Sequence, residues 1–234
     1  MTSAASSALP RAVLSRGALG AAADAAVAAG GSCADLRRDA WGHGVSEIAA
    51  AVISAGARQV LVDDEDTVRM LREAGIEAVS TGAPDIDSSL LYGLPDEKGT
   101  LRTDPVMRLS GRVMSTKPLR TGEPVSYGYT FRASADTTVA LVTGGYAQGI
   151  VRMLGNRAEV EVAGVRRPIV GRVAMDVCVV DLGGIRALPG DDVTFFGGRG
   201  AVAGELARWR AVTGLGIPEL VTVAGLRALR EWEA

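Results

Sequence analysis

The chain has 234 residues, 47% of them hydrophobic, which suffices for one large or two small globular domains with a packed core. Its net charge of −2 provides no basic surface for nucleic acid or an anionic membrane. No apolar run approaches the roughly 20 residues of a membrane span, and residues 1–10 lack the basic-then-apolar pattern of a signal peptide, so we expect a cytoplasmic protein.

Lysine and cysteine are both rare, which limits the chemistry available to the chain. Lysine occurs only at Lys98 and Lys117, and a Schiff base to an aldehyde needs a lysine amine. The two cysteines, Cys33 and Cys178, lie far apart and without the spacing of metal ligands. A disulfide bond between them is possible, but we expect two buried free thiols.

In the first hundred residues, predicted strands alternate with predicted helices, and each of these helices is followed by glycine. The strands are predicted at residues 11–14, 33–37, 59–62 and 77–81, and the helices at 16–29, 45–55 and 64–74. This alternation is typical of a parallel α/β layout with about four β/α units. Residues 82–105 are rich in Pro, Gly and Asp, with one turn of helix at 88–91, and are interpreted as a linker.

After residue 105 the pattern changes to short strands separated by Gly and Pro turns, which predicts an antiparallel β-domain. The strands are predicted at residues 106–114, 139–142, 159–162, 168–173, 177–182 and 192–196. Two helices are predicted at 202–211 and 217–232. The second carries an apolar stripe of Leu220, Val223, Leu226 and Leu229 at helical spacing.

Three short signatures follow one another in this second half. They are Val125-Ser126-Tyr127-Gly128, Gly145-Tyr146-Ala147-Gln148-Gly149 and Gly171-Arg172-Val173-Ala174-Met175-Asp176. In this order and spacing they resemble the C-terminal β-domain of alanine racemases, pyridoxal-phosphate enzymes that interconvert L- and D-alanine. The resemblance implies that Tyr127 is a catalytic base and that Tyr146, Met175 and Asp176 bind substrate or line the entrance. A phenol of pKa near 10 needs a cationic neighbour for that role, and the alternative for Tyr127 is a packed loop residue.

A segment of the first half resembles the part of these racemases that carries the cofactor lysine. It reads Arg37-Arg38-Asp39-Ala40-Trp41-Gly42-His43-Gly44, with Arg37 at the lysine position. A guanidinium keeps its proton and cannot condense with an aldehyde. Pro218 stands where the family has a tyrosine for the cofactor phosphate, and Gln148 replaces the usual aspartate. We therefore expect no bound cofactor, although the family uses pyridoxal phosphate.

The resemblance also defines the expected fold. Only about 100 residues precede the β-domain, whereas a complete (β/α)₈ barrel takes about 250. We therefore predict a truncated, partial (β/α) barrel-like domain with its linker at residues 1–104, and an antiparallel β-domain of alanine racemase type at residues 105–234.

Two residues of the lysine-like segment have open interpretations. Arg37 could hold a carboxylate or phosphate at the end of a parallel strand, or form an internal ion pair with Asp35, Asp39 or Asp63. His43 is the only histidine, so it cannot build a metal site, and we expect it to make a local hydrogen bond near a helix start.

Three functions are compatible with these features. The first is an alanine-racemase-like protein without its own pyridoxal phosphate chemistry. It would act as a structural or regulatory homodimer, or as the partner of a full-length racemase, because family racemases are head-to-tail dimers in which one β-domain completes the other chain's site. The second is an alanine racemase that uses Tyr127 with an unidentified second base. The third is a protein that binds a small amino acid without reaction through Arg37, Tyr127 and Met175.

Overall fold

The computed structural model describes residues 9–234, except for the side chain of Tyr127. Most of the N-terminal tail expected at residues 1–10 therefore lies outside the described residues. The strands are β1 (Arg11–Ser15), β2 (Cys33–Asp35), β3 (Gln59–Leu61), β4 (Ala78–Val79), β5 (Met107–Leu119), β6 (Pro124–Val125), β7 (Phe131–Arg132), β8 (Thr137–Thr143), β9 (Glu159–Val162), β10 (Val165–Val170), β11 (Val177–Gly183), β12 (Asp192–Gly197) and β13 (Leu229–Glu233). The helices are α1 (Arg16–Ala28), α2 (Arg37–Trp41), α3 (Val45–Ser54), α4 (Glu65–Glu73), α5 (Ser88–Leu91), α6 (Leu206–Thr213) and α7 (Ile217–Arg227).

Six strands of the second half close into a barrel. Strands β5, β8, β11, β10, β9 and β12 are successive antiparallel neighbours, and β12 pairs back onto β5. The 13 residues of β5 make this possible, because its first half pairs with β12 and its second half with β8. Closure leaves none of these six strands with a free edge, and it confirms the predicted antiparallel β-domain.

Strand β1 belongs to the sheet of this barrel and not to the parallel layout predicted for the first half. Arg11 lies opposite Ser110 of β5 in an antiparallel pair and opposite Leu229 of β13 in a parallel pair. The prediction of β1 as the first β/α strand was therefore wrong. Alternation along the chain identifies a strand but not its neighbours, and both neighbours of β1 come from distant segments.

The parallel sheet contains three short strands, in the order β2-β3-β4, where four were predicted. Helices α1, α3 and α4 occur close to their predicted positions. Asp64 caps α4, since its carboxylate accepts from the backbone N–H of Thr67 at 2.8 Å. At one edge of the sheet the Asp85 carboxylate accepts from the backbone N–H groups of Ser32 and Cys33 at 2.6 and 2.7 Å.

The segment interpreted as a linker packs into the core. Five of its apolar side chains are buried, namely Ile86, Leu90, Leu91, Tyr92 and Leu94. Its turn-rich composition correctly indicated the helical turn α5, but composition does not show that the apolar residues between the turns face one side. The segment therefore connects the two halves as packed structure.

The last helix is shorter than predicted. Helix α7 ends at Arg227, and the chain continues as β13 alongside β1. Of the predicted apolar stripe, Leu220 is buried, but Val223 and Leu226 are 48% and 49% exposed, so the stripe coincides only in part with the buried face. The buried residues of α7 are Ile217, Leu220, Val221, Ala224 and Gly225.

Within residues 9–234, no helix combines the length and apolar character that crossing a membrane requires. The same residues contain no cluster of His, Cys, Asp or Glu suited to a metal ion. Cys33 and Cys178 are both buried and free, as expected. Burial raises the pKa of the Cys178 thiol to about 12.

Candidate functional site

The second and third signatures are joined by their backbones. The N–H of Tyr146 donates to the carbonyl of Ala174 at 2.9 Å, and the N–H of Ala147 donates to that of Met175 at 3.0 Å. A Cβ at Gly145 would lie 2.3 Å from the Met175 carbonyl oxygen, so only glycine permits this approach. The glycine of the second signature is therefore explained by contact with the third.

The first signature also contacts the third, through a hydrogen bond and through close packing at glycine. The Ser126 hydroxyl donates to the backbone carbonyl of Arg172 at 2.7 Å. Gly171 has a φ of +73°, and a Cβ there would lie 2.4 Å from the Cβ of Ser126. The Arg172 guanidinium carbon lies 3.3 Å from the position that a Cβ of Gly128 would take. All three signatures thus converge beside strands β8 and β11.

Tyr127 begins a single 3₁₀ turn, Tyr127–Tyr129, between the paired strands β6 and β7. Ser126, which precedes the turn, and Tyr129, which ends it, have φ angles of +67° and +49°, a backbone conformation that is unfavourable for residues other than glycine. The structure describes the backbone of Tyr127 but not its side chain, so its role as a base stays a prediction.

Two cavities lie where the signatures meet, and both are bounded by Ala174 and Val177. The first, of about 450 Å³, is lined by Ser126, Gly128, Tyr129, Leu141, Arg172, Ala174, Val177, Cys178 and Val179. The second, of about 560 Å³, is lined by Tyr146, Arg152, Ala174, Met175, Asp176 and Val177. The residues Tyr146, Met175 and Asp176 therefore line one cavity, and their role in substrate binding stays a prediction.

Gln148 takes part in the same arrangement. Its side-chain carbonyl accepts from the N–H of Gly145 at 2.9 Å, and its amide donates to the Asp176 carboxylate at 2.9 Å. An aspartate at this position could only accept, and its charge would oppose that of Asp176. Glutamine therefore satisfies both neighbours in this chain.

Arg37 lies in a different region, at the carboxyl end of β2. Its Nε and Nη2 donate to the two carboxylate oxygens of Asp35 at 2.8 and 2.7 Å. Burial raises the pKa of Asp35, but the hydrogen bonds and charge of Arg37 outweigh burial and leave that pKa below its ordinary value. Of the two interpretations of Arg37, ligand binding or an internal ion pair, the structure supports the ion pair, which Arg37 forms with Asp35.

Helix α2 is a left-handed turn. Arg38, Asp39, Ala40 and Trp41 have φ angles of 52–56°, a conformation that costs roughly 1–2 kcal/mol per L-residue. The turn is held by its neighbours. Asp39 accepts from the backbone N–H of Val45 at 2.8 Å and forms an ion pair with Arg230.

A cluster of the aromatic rings of Trp41, His43 and Tyr92 packs against the buried side of this turn. The Tyr92 ring stacks on Trp41 at 5.0 Å between centroids and lies 4.6 Å from the His43 ring, and its hydroxyl donates to the Asp35 carbonyl at 2.7 Å. His43 Nδ1 lies 3.0 Å from the Ala40 carbonyl, which confirms the predicted local hydrogen bond. Burial lowers the pKa of His43 to about 4, so its imidazole is neutral near pH 7. Tyr92 was missed because its segment was interpreted as a linker.

Sequence comparison identifies the family. Residues 106–232, more than half of the chain, match the family model for the alanine racemase C-terminal domain. Alanine racemase of Mycolicibacterium vanbaalenii is 46% identical over 103 residues, which are 43% of this chain and 26% of that protein. Alanine racemase of Salinispora arenicola is 35% identical over 166 residues, which are 68% of this chain and 44% of that protein. The chain belongs to the alanine racemase family, and these matches span less than half the length of either relative.

Solved structures of low sequence identity share the fold. Alanine racemase from Streptomyces coelicolor superimposes with a TM-score of 0.81 at 21% identity, covering 96% of this chain and 98% of that chain. The Bartonella henselae alanine racemase, which carries covalently bound pyridoxal phosphate, superimposes with a TM-score of 0.75 at 17% identity, covering 96% of this chain and 99% of that chain.

No lysine stands at the position of this chain that resembles the family's cofactor-lysine position. Arg37, at the lysine-like position, has its guanidinium fixed by two hydrogen bonds to Asp35. Pro218 lies in the first turn of α7 and offers no hydroxyl group. Lys98 lies in a turn closed by Asp96, and Lys117 lies in β5, so neither belongs to the segments around Arg37.

Proposed function

We propose that this chain is an alanine racemase family member without its own Schiff-base chemistry, acting as a structural or regulatory partner protein. The observation that carries the proposal is the bidentate ion pair between Arg37 and Asp35 at the position resembling the cofactor lysine. A guanidinium in this pair can neither form an imine nor accept a proton near pH 7. We place the protein in the cytoplasm, consistent with two cysteines that stay free.

The proposed interaction surface is the region around the converged signatures. Tyr129, Tyr146, Met153 and Met175 are 45–66% exposed there, next to the Arg152 side chain. Aromatic, Met and Arg side chains are enriched in protein–protein interfaces. The partner would be a second copy of the chain or a full-length alanine racemase, as the head-to-tail dimers of the family imply.

The absence of Schiff-base chemistry is tested by mixing the purified protein with pyridoxal phosphate, reducing with borohydride and mapping adducts by mass spectrometry. We expect no adduct on Lys98 or Lys117 beyond the level in the unfolded chain. Arg37→Lys tests whether an amine alone restores the site, and Arg58→Lys places an amine elsewhere as a control. A stoichiometric, site-specific adduct in the unmodified chain would contradict the proposal.

The partner role is tested by molar mass in solution, alone and with a full-length alanine racemase. We expect a dimer or a mixed complex that dissociates in the variant Tyr146→Glu/Met175→Glu. The matched control is Met70→Glu, since Met70 is also exposed, at 44%, but lies in α4. A monomeric chain under both conditions would exclude this role.

A second candidate is catalysis as an alanine racemase, favoured by the convergence of all three signatures around one pair of cavities. It requires D-alanine to form from L-alanine, with activity abolished in Tyr127→Phe. Calorimetry with L- and D-alanine covers the third possibility, because binding without turnover indicates an amino-acid-binding protein.

A further inference from the structure

Strand β13 is attached to the rest of the fold mainly by charged side chains and by its backbone pairing with β1. It stands last in the order of the eight-stranded sheet, and among the described strands only β1 is its neighbour. None of its five side chains is fully buried, since Leu229 and Trp232 are partly buried and Arg230, Glu231 and Glu233 are exposed. Burial of apolar area therefore contributes little to holding this strand in place.

Two glutamates attach β13 to its neighbours on one face of the sheet. A carboxylate oxygen of Glu231 lies 3.4 Å from a guanidinium nitrogen of Arg11 in β1, and one of Glu233 lies 3.5 Å from a guanidinium nitrogen of Arg108 in β5. The four side chains are 21–51% exposed, so each pair alone contributes little to stability and is screened by salt. The attachment of β13 should therefore weaken as the ionic strength rises.

Arg230 points to the opposite face of β13 and connects this strand to the left-handed turn of α2. Its guanidinium forms an ion pair with the Asp39 carboxylate, which also accepts a hydrogen bond from the backbone N–H of Val45 at 2.8 Å. Val45 is the first residue of α3, and the N-cap residue Gly44 has no side chain that could accept this bond. One carboxylate thus joins β13, the left-handed turn and the start of α3.

We propose that β13 is a salt-sensitive strap that holds the left-handed turn in place through Arg230. Four consecutive residues of the turn have φ angles of 52–56°, which L-residues adopt only where surrounding contacts impose them. When β13 separates from β1, Asp39 loses its contact with Arg230 and keeps only that with Val45. The turn and the start of α3 then open more often, while the barrel stays closed. The strap requires neither a partner nor turnover, so it is independent of the proposed function.

The test is native-state hydrogen exchange of the full chain, followed by NMR at about 0.1 and about 1 M NaCl, between which the Debye length falls from roughly 10 to 3 Å. The N–H groups of Gly42 and Gly44 report on the turn, because they donate to the carbonyls of Arg38 and Asp39. We expect Arg230→Gln to accelerate their exchange roughly fivefold at low salt, as expected for the loss of one partly exposed ion pair. High salt should accelerate the same amides in the unmodified chain, and much less in Arg230→Gln.

Glu231→Gln separates a strap from a purely local contact. It removes the pair with Arg11 on the other face and leaves Arg230 and Asp39 unchanged, so only loosening of the whole strand can carry its effect to the turn. We expect it to accelerate exchange at Gly42 and Gly44 as well. Arg230→Lys keeps the charge and should retain most of the protection.

Arg227→Gln is the matched control, because Arg227 is also exposed but lies in α7, three residues before Arg230. Its exchange rates at the turn should equal those of the unmodified chain. Four results would overturn the proposal. They are unchanged exchange in Arg230→Gln, unchanged exchange in Glu231→Gln, equal acceleration in Arg227→Gln, and acceleration of the β8 amides by the same factor as those of the turn, which would mean a general loss of stability.

Discussion

At the level of single residues, the Arg37–Asp35 pair combines a half-exposed guanidinium with a carboxylate that is only 8% exposed. Removing the arginine leaves a buried carboxylate without its partner. We therefore expect Arg37→Met to lower the free energy of unfolding by about 1–3 kcal/mol, measured by urea denaturation at neutral pH. Arg58→Met is the control and should change it by less than about 0.5 kcal/mol.

The pH dependence of this pair has a defined sign. The pKa of Asp35 lies below its ordinary value in the folded protein, so the unfolded chain binds the proton more readily. The stabilisation is complete above about pH 4 and is lost as the pH falls through the folded pKa. The stability difference between the unmodified chain and Arg37→Met should therefore shrink in acid. A difference that stays constant would mean that packing of the Arg37 side chain, and not its charge, is responsible.

His43 gives a pH dependence of the same sign as Asp35, but at higher pH. Its pKa falls from 6.5 to about 4 on folding, so the unfolded state binds the extra proton between these values. We expect this histidine to remove roughly 3 kcal/mol of stability as the pH falls from about 6.5 to about 4. His43→Asn, whose amide can replace the Nδ1–H donor, should lack this slope in unfolding measurements across that range. An unchanged slope would show that other groups cause it.

At the level of elements, the contact between helices α2 and α7 depends on the lack of a Cβ at two positions. They are Gly42, which directly follows α2, and Gly225 of α7. A Cβ at Gly225 would lie 2.7 Å from the carbonyl oxygen of Gly42 and 2.7 Å from Cε of Met107. Alanine favours a helix over glycine by about 1 kcal/mol, so helix propensity and packing have opposite effects at this position. The packing term is the larger, because backbone atoms of a left-handed turn cannot move aside without losing its contacts.

We therefore expect Gly225→Ala to destabilise the protein by about 1–3 kcal/mol, as overpacking usually does. Gly20→Ala is the matched control, since Gly20 lies in α1 and nothing lies within 4 Å of its Cβ position. This control should stabilise the protein by up to about 1 kcal/mol. Thermal or urea unfolding measures both variants. Stabilisation by both would indicate that α7 does not pack closely on α2.

At the level of the whole molecule, the two halves of the chain share one hydrophobic core. The core is continuous from Leu14 and Ala22 to Phe195 and Trp209. Strand β1 also connects the two halves, because it lies in the first half of the chain but pairs with β5 and β13 of the second half. The division into domains at residues 1–104 and 105–234 stays a prediction, which unfolding measurements can test.

We expect the described chain to unfold in one cooperative transition. Trp41 reports on the first half, and Trp209 reports on the second, where it packs edge-on against Phe196 at 5.3 Å. The third tryptophan, Trp232, is replaced by phenylalanine in both variants so that each keeps one reporter. In Trp41→Phe/Trp232→Phe and in Trp209→Phe/Trp232→Phe, the fluorescence midpoint should coincide with the circular dichroism midpoint of the same variant. Two separated midpoints in either variant would show that the halves unfold independently.

The sequence by itself determined the features that depend on local chemistry. Asp64 and the glycines after the helices located α1, α3 and α4, and the three signatures indicated the family. The guanidinium of Arg37 excluded an imine at that position for the same reason, since this property belongs to the side chain itself.

Only the tertiary structure decided which distant segments become neighbours. It placed β1 beside β13, buried Tyr92 against Trp41 and His43, and closed six strands into a barrel. Periodicity records how a segment alternates between buried and exposed, but not what covers it, because packing partners are selected by shape and hydrogen bonding across the whole fold.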